Sequence, residues 1–393
     1  MPPPATLLLG QSGGPTAVIN ASLAGAIEAG RVDQRVQRIL GAQFGVRGII
    51  ERDFVDLAQL TLSELDQLAS TPGAVLGSSR LRPSDQEVEA ALESLGEIGV
   101  SWLSFIGGND SADLMHRLHL AARSRGIPLN VVGIPKTVDN DLPEMDHVPG
   151  YGSAARTLAI AVRGSGADTA AMRHSDPVKV IEVPGRSSGW LAAAGALARA
   201  AASDAPHVLF FPERPRPLLQ MVQEVKVPLD ARGFAVVVIS ENQPDEGGQP
   251  LAGGDAVAVD PYGHAYFESP GLALVRAVRR ELGVSARYER PSSILRSFSG
   301  AQSNTDLDEA RAVGTEAVLR ALRGESDVMV AIEREEGTGY RVRYGAVPLG
   351  AVASQERRLP DEFISANGID ITEAFLHYAR PLIGFPLPRP MTL

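Results

Sequence analysis

The sequence predicts an α/β protein made of two doubly wound domains with mainly parallel sheets. Three observations support this fold class. Short β-rich apolar runs alternate with helical patterns, glycine-rich joints separate them, and 393 residues are more than one core usually holds. The runs that predict buried parallel strands are residues 6–9, 102–106, 130–134, 178–183, 208–211 and 234–239.

A helix is predicted directly after the first strand. Ile19, Leu23 and Ile27 recur four residues apart, which places them on one helical face, and Gly30 is the predicted stop. Further along, the acidic, glycine-rich residues 244–255 predict a surface loop where the chain crosses between the domains.

We expect the late part of the chain to be divided between the two domains. Residues 327–345 predict a pair of strands. One predicted domain comprises residues 1–150 with roughly 256–310, and the other comprises residues 151–255 with roughly 311–393. The cleft between them is the expected active site.

Composition excludes several classes of protein and site. Cysteine is absent, so there is no disulfide framework and no thiolate nucleophile, and a cytoplasmic location is expected. The net charge of −10 argues against nucleic-acid binding, so an anionic substrate would need a local cluster of arginine and lysine. The first ten residues contain no basic residue ahead of their apolar run, and this run is much shorter than a membrane span. Both features argue against a signal peptide and a membrane span.

Three motifs that follow predicted strands carry polar chemistry. The first is residues 10–20 (GQSGGPTAVIN), in which Gly13 and Gly14 lack a Cβ, so that backbone amides can approach an anion at a helix start. A tight strand-to-helix turn explains this motif equally well.

The second motif is residues 106–111 (IGGNDS). Asn109 and Asp110 lie at the carboxyl end of a predicted strand, where open α/β sheets bind their ligands. Helix capping is the alternative explanation, because Asn and Asp are common N-cap residues.

The third motif is residues 134–141 (IPKTVDND), in which Lys136, Thr137, Asp139 and Asp141 lie close together. One carboxylate can take the proton from an attacking hydroxyl, another can hold Mg²⁺, and a lysine can offset charge on a transferred phosphoryl group. An Asx turn would explain one aspartate and the asparagine, but not the lysine together with both aspartates.

In this order and at these strand ends, the three motifs resemble those of the phosphofructokinase family, and the resemblance covers most of the chain. The further segments that fit are GSSR at 77–80, YGSAAR at 151–156, PGR at 184–186, FPE at 211–213 and RPSSILRSFSG at 290–300. The resemblance implies reversible, Mg²⁺-dependent phosphoryl transfer to fructose 6-phosphate in glycolysis or gluconeogenesis. The domain that begins the chain would hold the donor phosphate, and the other would hold the sugar phosphate.

The resemblance also implies a role for each matching residue. Asp139 would be the general base toward the 1-hydroxyl of the sugar, and Thr137 would orient the transferred phosphate. The metal would be held by Asn109, Asp110 and Asp141.

The other implied contacts divide between the donor and the acceptor. Donor binding is implied for Gly13, Gly14, Arg80, Gly108, Asp110 and Lys136. Acceptor binding is implied for Thr137, Asp139, Pro184, Gly185, Arg186, Glu213, Arg290 and Arg296. Of these, Glu213 would bind sugar hydroxyls, and Arg290 and Arg296 would grip the 6-phosphate, since an arginine fork matches phosphate oxygens. Arg186, with Arg80, would stabilise charge on the transferring group, so the catalytic set is Lys136, Thr137, Asp139 and Arg186.

Two positions indicate the phosphate donor. In ATP-using members of the family both are typically glycine, whereas here they are Asp110 and Lys136. The Asp110 carboxylate would occupy and charge the space of a nucleotide α-phosphate, and Lys136 would contribute positive charge toward pyrophosphate. This is the pattern of pyrophosphate-dependent members. The alternatives are an ATP-dependent enzyme and a non-catalytic regulatory subunit that binds sugar phosphate.

Three residues depart from the common family pattern. Asn109 stands where ATP enzymes have a metal-binding aspartate, and Pro184 stands where a methionine is usual. Pro177 replaces an arginine that commonly reaches a neighbouring subunit, although Arg173 lies nearby. The change at Pro177 leaves open whether sedoheptulose 7-phosphate is a second acceptor, and a symmetric homodimer or homotetramer is the expected assembly.

Overall fold

The computed structural model describes residues 5–254, 256–259, 265–353, 355–384 and 386–388. The strands are β1 (Thr6–Gln11), β2 (Arg38–Ala42), β3 (Phe54–Asp56), β4 (Val100–Gly107), β5 (Asn130–Pro135), β6 (Val178–Val183), β7 (Val208–Phe210), β8 (Ala235–Ser240), β9 (Ala258–Val259), β10 (Ala265–Tyr266), β11 (Ala286–Glu289), β12 (Val328–Arg334) and β13 (Val342–Pro348). The helices are α1 (Ile19–Val32), α2 (Val46–Glu51), α3 (Leu62–Ser70), α4 (Asp85–Glu97), α5 (Asn109–Ser124), α6 (Tyr151–Ala171), α7 (Trp190–Ala194), α8 (Leu218–Arg232), α9 (Pro270–Leu282), α10 (Ser292–Ser297), α11 (Asn304–Leu322), α12 (Leu349–Val352) and α13 (Glu373–Ala379). Short 3₁₀ helices lie at Gly195–Ala198, Ser299–Ala301, Asp361–Phe363 and Pro381–Ile383.

The first sheet has the strand order β13-β12-β5-β4-β1-β2-β3. Its central strands are parallel, and β3 and β13 pair antiparallel at the two edges. Leu7 and Leu9 face a core with α1 and α11, whereas Leu8 faces a core with α4 and α5, because side chains alternate along a strand. Burial on both faces explains why β1 is continuously apolar.

The second sheet is fully parallel, with the order β11-β6-β8-β7. Helices α6 and α7 cover one face, and α8 and α9 cover the other. Each of the six predicted parallel strands is present, with ends within two residues of the prediction, and the predicted late pair is β12 and β13. The prediction of two doubly wound units with mainly parallel sheets is confirmed.

The predicted partition of the late chain is wrong. Strands β12 and β13 extend the first sheet beyond β5, and β11 joins the second sheet beside β6. An apolar pattern shows that a strand is buried, but it does not show which open sheet edge the strand pairs with. The chain therefore crosses between the units after β5, after β11 and after α12.

Two smaller predictions are also wrong. Helix α1 does not stop at Gly30 but continues to Val32, and Gly30 is buried where a Cβ would lie 2.7 Å from Leu7 Cδ2. The loop that starts at residue 244 joins β8 to elements of the same unit, so it is not a crossing, and its last predicted residue, Asp255, lies outside the described residues.

Within the described parts of the chain, no helix combines the length and the hydrophobicity needed to cross a membrane.

A buried charged network anchors the segment that follows the third motif. His147 is 2% exposed, and its ring nitrogens lie 2.7 Å from Asp146 Oδ1 and 2.6 Å from Glu309 Oε2. The hydroxyl of Tyr340 also donates to Glu309. Burial alone would lower the pKa of His147, but the two carboxylates outweigh burial and raise this pKa to about 9. His147 is therefore an imidazolium at neutral pH.

We expect this network to make stability fall at alkaline pH. Because the folded pKa of His147 lies above its ordinary value of 6.5, its contribution is fully present below that value and is lost as pH rises through about 9. The melting temperature of the wild type should fall by on the order of a few degrees over this range. His147→Gln should start lower and show a flatter pH profile in thermal melts. Equal slopes in the two proteins would contradict this explanation.

Candidate active site

A cleft lies where the carboxyl ends of the two sheets face each other. Residues that directly follow β1, β4, β5, β6 and β8 line it, together with residues of α10. Of the predicted site residues, all but Gly185 and Glu213 line this one cleft. The three motifs therefore meet, as expected from the position of each at a strand end.

The first and third motifs contact each other through Lys136. Gly13 has a φ of +75°, which favours glycine, and the Lys136 Nζ lies 3.1 Å from where a Gly13 Cβ would be. The same Nζ donates to the Gly14 carbonyl at 3.0 Å. Lys136 is 4% exposed, and burial, together with the nearby Arg296, lowers its pKa to about 8. It is a buried site residue and not a surface lysine.

We expect Gly14→Ala to weaken the binding of an anionic substrate at Arg296. A Cβ on Gly14 would lie 2.8 Å from Arg296 Nη1, so the guanidinium must move. Loss of one charge-assisted hydrogen bond should raise the KM for that substrate by about tenfold. Gly96→Ala is the control, because no atom lies within 4 Å of its added Cβ. A KM for Gly14→Ala that matches the control would contradict the prediction.

The second motif opens α5 at the cleft, where its unpaired backbone amides favour an anion. The Asp110 carboxylate lies 3.6 Å from Arg186 Nη2. The Asn109 Nδ2 donates to the carbonyls of Val352, at 3.3 Å, and Gln355. An aspartate at position 109 would set a carboxylate against two carbonyl oxygens, which gives a physical reason for the asparagine.

The third motif presents two carboxylates on either side of a buried anchor. Asn140 is fully buried, with its Nδ2 donating to the Tyr378 hydroxyl at 2.9 Å and its Oδ1 accepting from the Val148 amide at 3.0 Å. Its φ of +56° lies in the left-handed region, where asparagine is tolerated. The flanking Asp139 and Asp141 both line the cleft.

These two carboxylates are electrostatically strained. Their Oδ1 atoms are buried and have no hydrogen-bond partner within the described parts of the protein. Burial, with the like charges of Asp141 and Glu241, raises the pKa of Asp139 well above its ordinary value, and burial also raises the pKa of Asp141. Perturbed carboxylates in a cleft are typical of acid–base and cation sites.

Arginines border the cleft in different electrostatic settings. Arg186 has a φ of +46°, which is unfavourable for a non-glycine residue and typical of functional sites. Arg290 lies between two carboxylates, with Nε 3.2 Å from Glu182 Oε1 and Nη2 3.1 Å from Glu241 Oε2. The positive charge of Arg290 is therefore already largely balanced.

Two predicted residues lie behind the cleft wall. The Oε1 of Glu213 accepts from the backbone amides of Gly189, at 2.9 Å, and Leu359, at 2.8 Å. Glu213 thus supports the loop that follows Arg186, and sugar binding by Glu213 stays a prediction. Gly185 directly precedes Arg186, and a Cβ on Gly185 would clash with the Ser188 carbonyl at 2.5 Å.

The departure at Pro177 lies far from the cleft of its own chain. Pro177 directly precedes β6, whereas Pro184 follows the other end of that strand and lines the cleft.

Several residues at or beside the cleft were not predicted from the sequence. Glu241 and Asn242 line the cleft directly after β8, and the rule that strand ends bind ligands could have found them. Arg357 contacts the third motif from a distant irregular segment, for which the sequence carries no local signal.

Comparison with known proteins identifies the family. Residues 6–320 match the protein family described as Phosphofructokinase. The chain belongs to the phosphofructokinase family. Its fold and the order of its motifs agree with that membership.

Similar proteins differ in the acceptor that their names give. A pyrophosphate–fructose 6-phosphate 1-phosphotransferase from Xanthomonas campestris is 38% identical, covering 96% of this chain and 91% of that protein. A sulfofructose kinase from Alkalicoccus urumqiensis is 34% identical, covering 91% of each chain. The crystal structure of a pyrophosphate-dependent phosphofructokinase from Nitrosospira multiformis matches with a TM-score of 0.88 and 32% identity, covering 98% of this chain and 94% of that one.

The site residues suit a metal ion that binds together with phosphate. Across the described ranges, no three His, Cys, Asp or Glu side chains are grouped closely enough to hold a metal by themselves. The unpartnered buried oxygens of Asp139 and Asp141 nevertheless fit a hard cation, and Mg²⁺ is usually held by one or two carboxylates plus substrate phosphates.

Proposed function

We propose that this phosphofructokinase transfers a phosphoryl group from pyrophosphate to the 1-hydroxyl of fructose 6-phosphate, giving fructose 1,6-bisphosphate and phosphate, and that the reaction is reversible. The observation that carries the proposal is the buried Lys136, whose Nζ donates to the Gly14 carbonyl. At the position of Lys136, ATP-using members of the family typically have glycine. Asp110 at the start of α5 adds a negative charge where a nucleotide α-phosphate would lie. The name of the Xanthomonas relative agrees.

The chemistry follows from the charges around the cleft. Asp139, with its raised pKa, takes the proton from the 1-hydroxyl as that oxygen attacks phosphorus, and in the reverse direction it returns the proton. Lys136 and Arg186 face the negative charge of the transferring group. Bound Mg²⁺, held by Asp141 and Asp110 with phosphate oxygens, would neutralise phosphate charge.

The preference for a short donor follows from the same residues. Lys136 is a compact point charge that is fixed beside the first motif by its bond to the Gly14 carbonyl. Such a charge suits a donor whose terminal phosphate lies beside the first motif. The Asp110 carboxylate, 3.6 Å from Arg186, would repel an additional phosphate that continued toward a nucleoside. A cytoplasmic location, a place in glycolysis or gluconeogenesis and a symmetric dimer or tetramer are further parts of this proposal.

A coupled assay tests the proposal directly. Pyrophosphate and ATP are offered in parallel, each with fructose 6-phosphate, sedoheptulose 7-phosphate and sulfofructose as acceptors, with and without Mg²⁺. We expect activity with pyrophosphate, fructose 6-phosphate and Mg²⁺. Absence of activity with pyrophosphate for every acceptor would refute the proposed donor, and activity with sulfofructose alone would refute the proposed acceptor.

A further inference from the structure

One irregular segment connects four of the functional motifs. Residues 352–359, described except for Ser354, run from the end of α12 in the first unit to the 3₁₀ helix Asp361–Phe363, which packs in the second. We call this segment the crossing strap. It is the last of the three places where the chain passes between the units, and it passes beside the cleft.

The strap contacts three motifs, each through one or two polar interactions. The carbonyls of Val352 and Gln355 accept from the Asn109 amide group. The Glu356 carboxylate lies 4.0 Å from Arg186 Nη1. The strap ends with the Leu359 amide, which donates to Glu213.

The fourth motif is held much more extensively, by Arg357. Its Nη1 donates to the carbonyls of Met145 and Asp146, each at 2.6 Å, and its Nη2 donates to the Asn140 carbonyl at 2.9 Å. The Arg357 backbone amide donates to the Asp141 carbonyl at 2.6 Å. One residue therefore binds backbone carbonyls beside the aspartates, at residues 140 and 141, and further along the same loop, at residues 145 and 146.

Arg357 also joins this loop to the second unit. Its guanidinium lies 4.4 Å from the centre of the Trp190 ring, and the Trp190 Nε1 donates to the Arg357 carbonyl at 3.1 Å. Trp190 is buried and begins α7, directly after the loop that contains Arg186. A planar guanidinium can stack on a ring and donate several bonds within one plane, which a lysine cannot do.

We propose that Arg357 is a positioning residue, which holds the Asp139–Asp141 backbone in the geometry needed for phosphoryl transfer and registers it against the Arg186 loop. The proposal rests on the proposed function, since it concerns how that reaction is organised. Arg357 acts through backbone carbonyls and Trp190, and it is not among the described residues that line the cleft, whereas both carboxylates are.

Kinetics of matched variants test the proposal. Displacement of reacting groups by about 1 Å can cost on the order of 10²-fold in rate, so we expect Arg357→Ala to lower kcat by about that factor with little change in either KM. Arg357→Lys, which keeps the charge, should recover only part of the rate, and added guanidinium ion should partly rescue Arg357→Ala. Arg358→Ala is the control, since this exposed neighbour carries the same charge. Equal effects of Arg357→Ala and Arg358→Ala, or an unchanged kcat in Arg357→Ala, would overturn the proposal.

A second measurement does not depend on the reaction. The chain has two tryptophans, so a Trp102→Phe background leaves Trp190 as the sole fluorophore. In that background, Arg357→Ala should shift the emission of Trp190 and speed hydrogen exchange of amides in the Asp139–Asp141 loop while the protein stays folded. If the wild type is inactive with pyrophosphate but Arg357→Ala causes these changes, the proposed function is refuted and the positioning role of Arg357 stands. If Arg357→Ala leaves both the Trp190 emission and the hydrogen exchange of the loop unchanged, the positioning role of Arg357 is refuted.

Discussion

Asp139→Asn should lower kcat by on the order of 10³-fold in both directions of the reaction, because an amide of the same shape cannot accept the proton of the attacking hydroxyl. This is the largest effect that we expect from a single substitution. The measurement is kcat with pyrophosphate as donor and, in reverse, with phosphate and fructose 1,6-bisphosphate.

Stability provides the control for this variant. Asp139 is buried beside Asp141, and the mutual repulsion of these carboxylates contributes to the raised pKa of Asp139. Removing one charge should therefore leave the melting temperature unchanged or higher, as often happens when a strained functional residue is replaced. A folded Asp139→Asn enzyme that keeps more than about a tenth of wild-type kcat would contradict the role of general base.

The double variant Asp110→Gly with Lys136→Gly should reverse the donor preference. Loss of the buried ammonium removes positive charge beside the Gly14 turn, and loss of the carboxylate opens the start of α5 to a longer donor. Together we expect the ratio of kcat/KM for pyrophosphate to that for ATP to fall by about 10³-fold, most of it from the loss of Lys136.

Single variants separate the two contributions. Lys136→Gly alone should mainly reduce activity with pyrophosphate, and Asp110→Gly alone should mainly raise activity with ATP. Asp113→Gly tests for a general effect of removing an aspartate from α5, because Asp113 lies on that helix outside the cleft. If the double variant keeps the wild-type ratio, these two residues do not set the donor.

Local pattern predicted the parallel strands and the position of each motif at a strand end. The proximity of Asp110 and Lys136 could be predicted, because parallel strands place their carboxyl ends at one edge of a sheet. The pattern could not show that Lys136 is buried, because burial there depends on Gly14 and Arg296, which lie far away in sequence.

The errors have a common physical cause. To assign β12 and β13 to the first sheet, one must know that β5 has a free edge with which β12 can pair. A free edge is a property of the tertiary structure and not of the local sequence. Arg357 acts on backbone carbonyls, and carbonyls are present at every residue, so no side-chain pattern marks its partners.

The pairing of β12 with β5 also bears on how the chain is made. Strands β6, β7, β8 and β11 all precede β12, so the second sheet is complete in the growing polypeptide before the first is. Until β12 emerges, β5 presents an unpaired edge of the kind that recruits other chains. During synthesis, the unit that begins the protein is finished last, and a growing chain released before residue 328 would expose that edge.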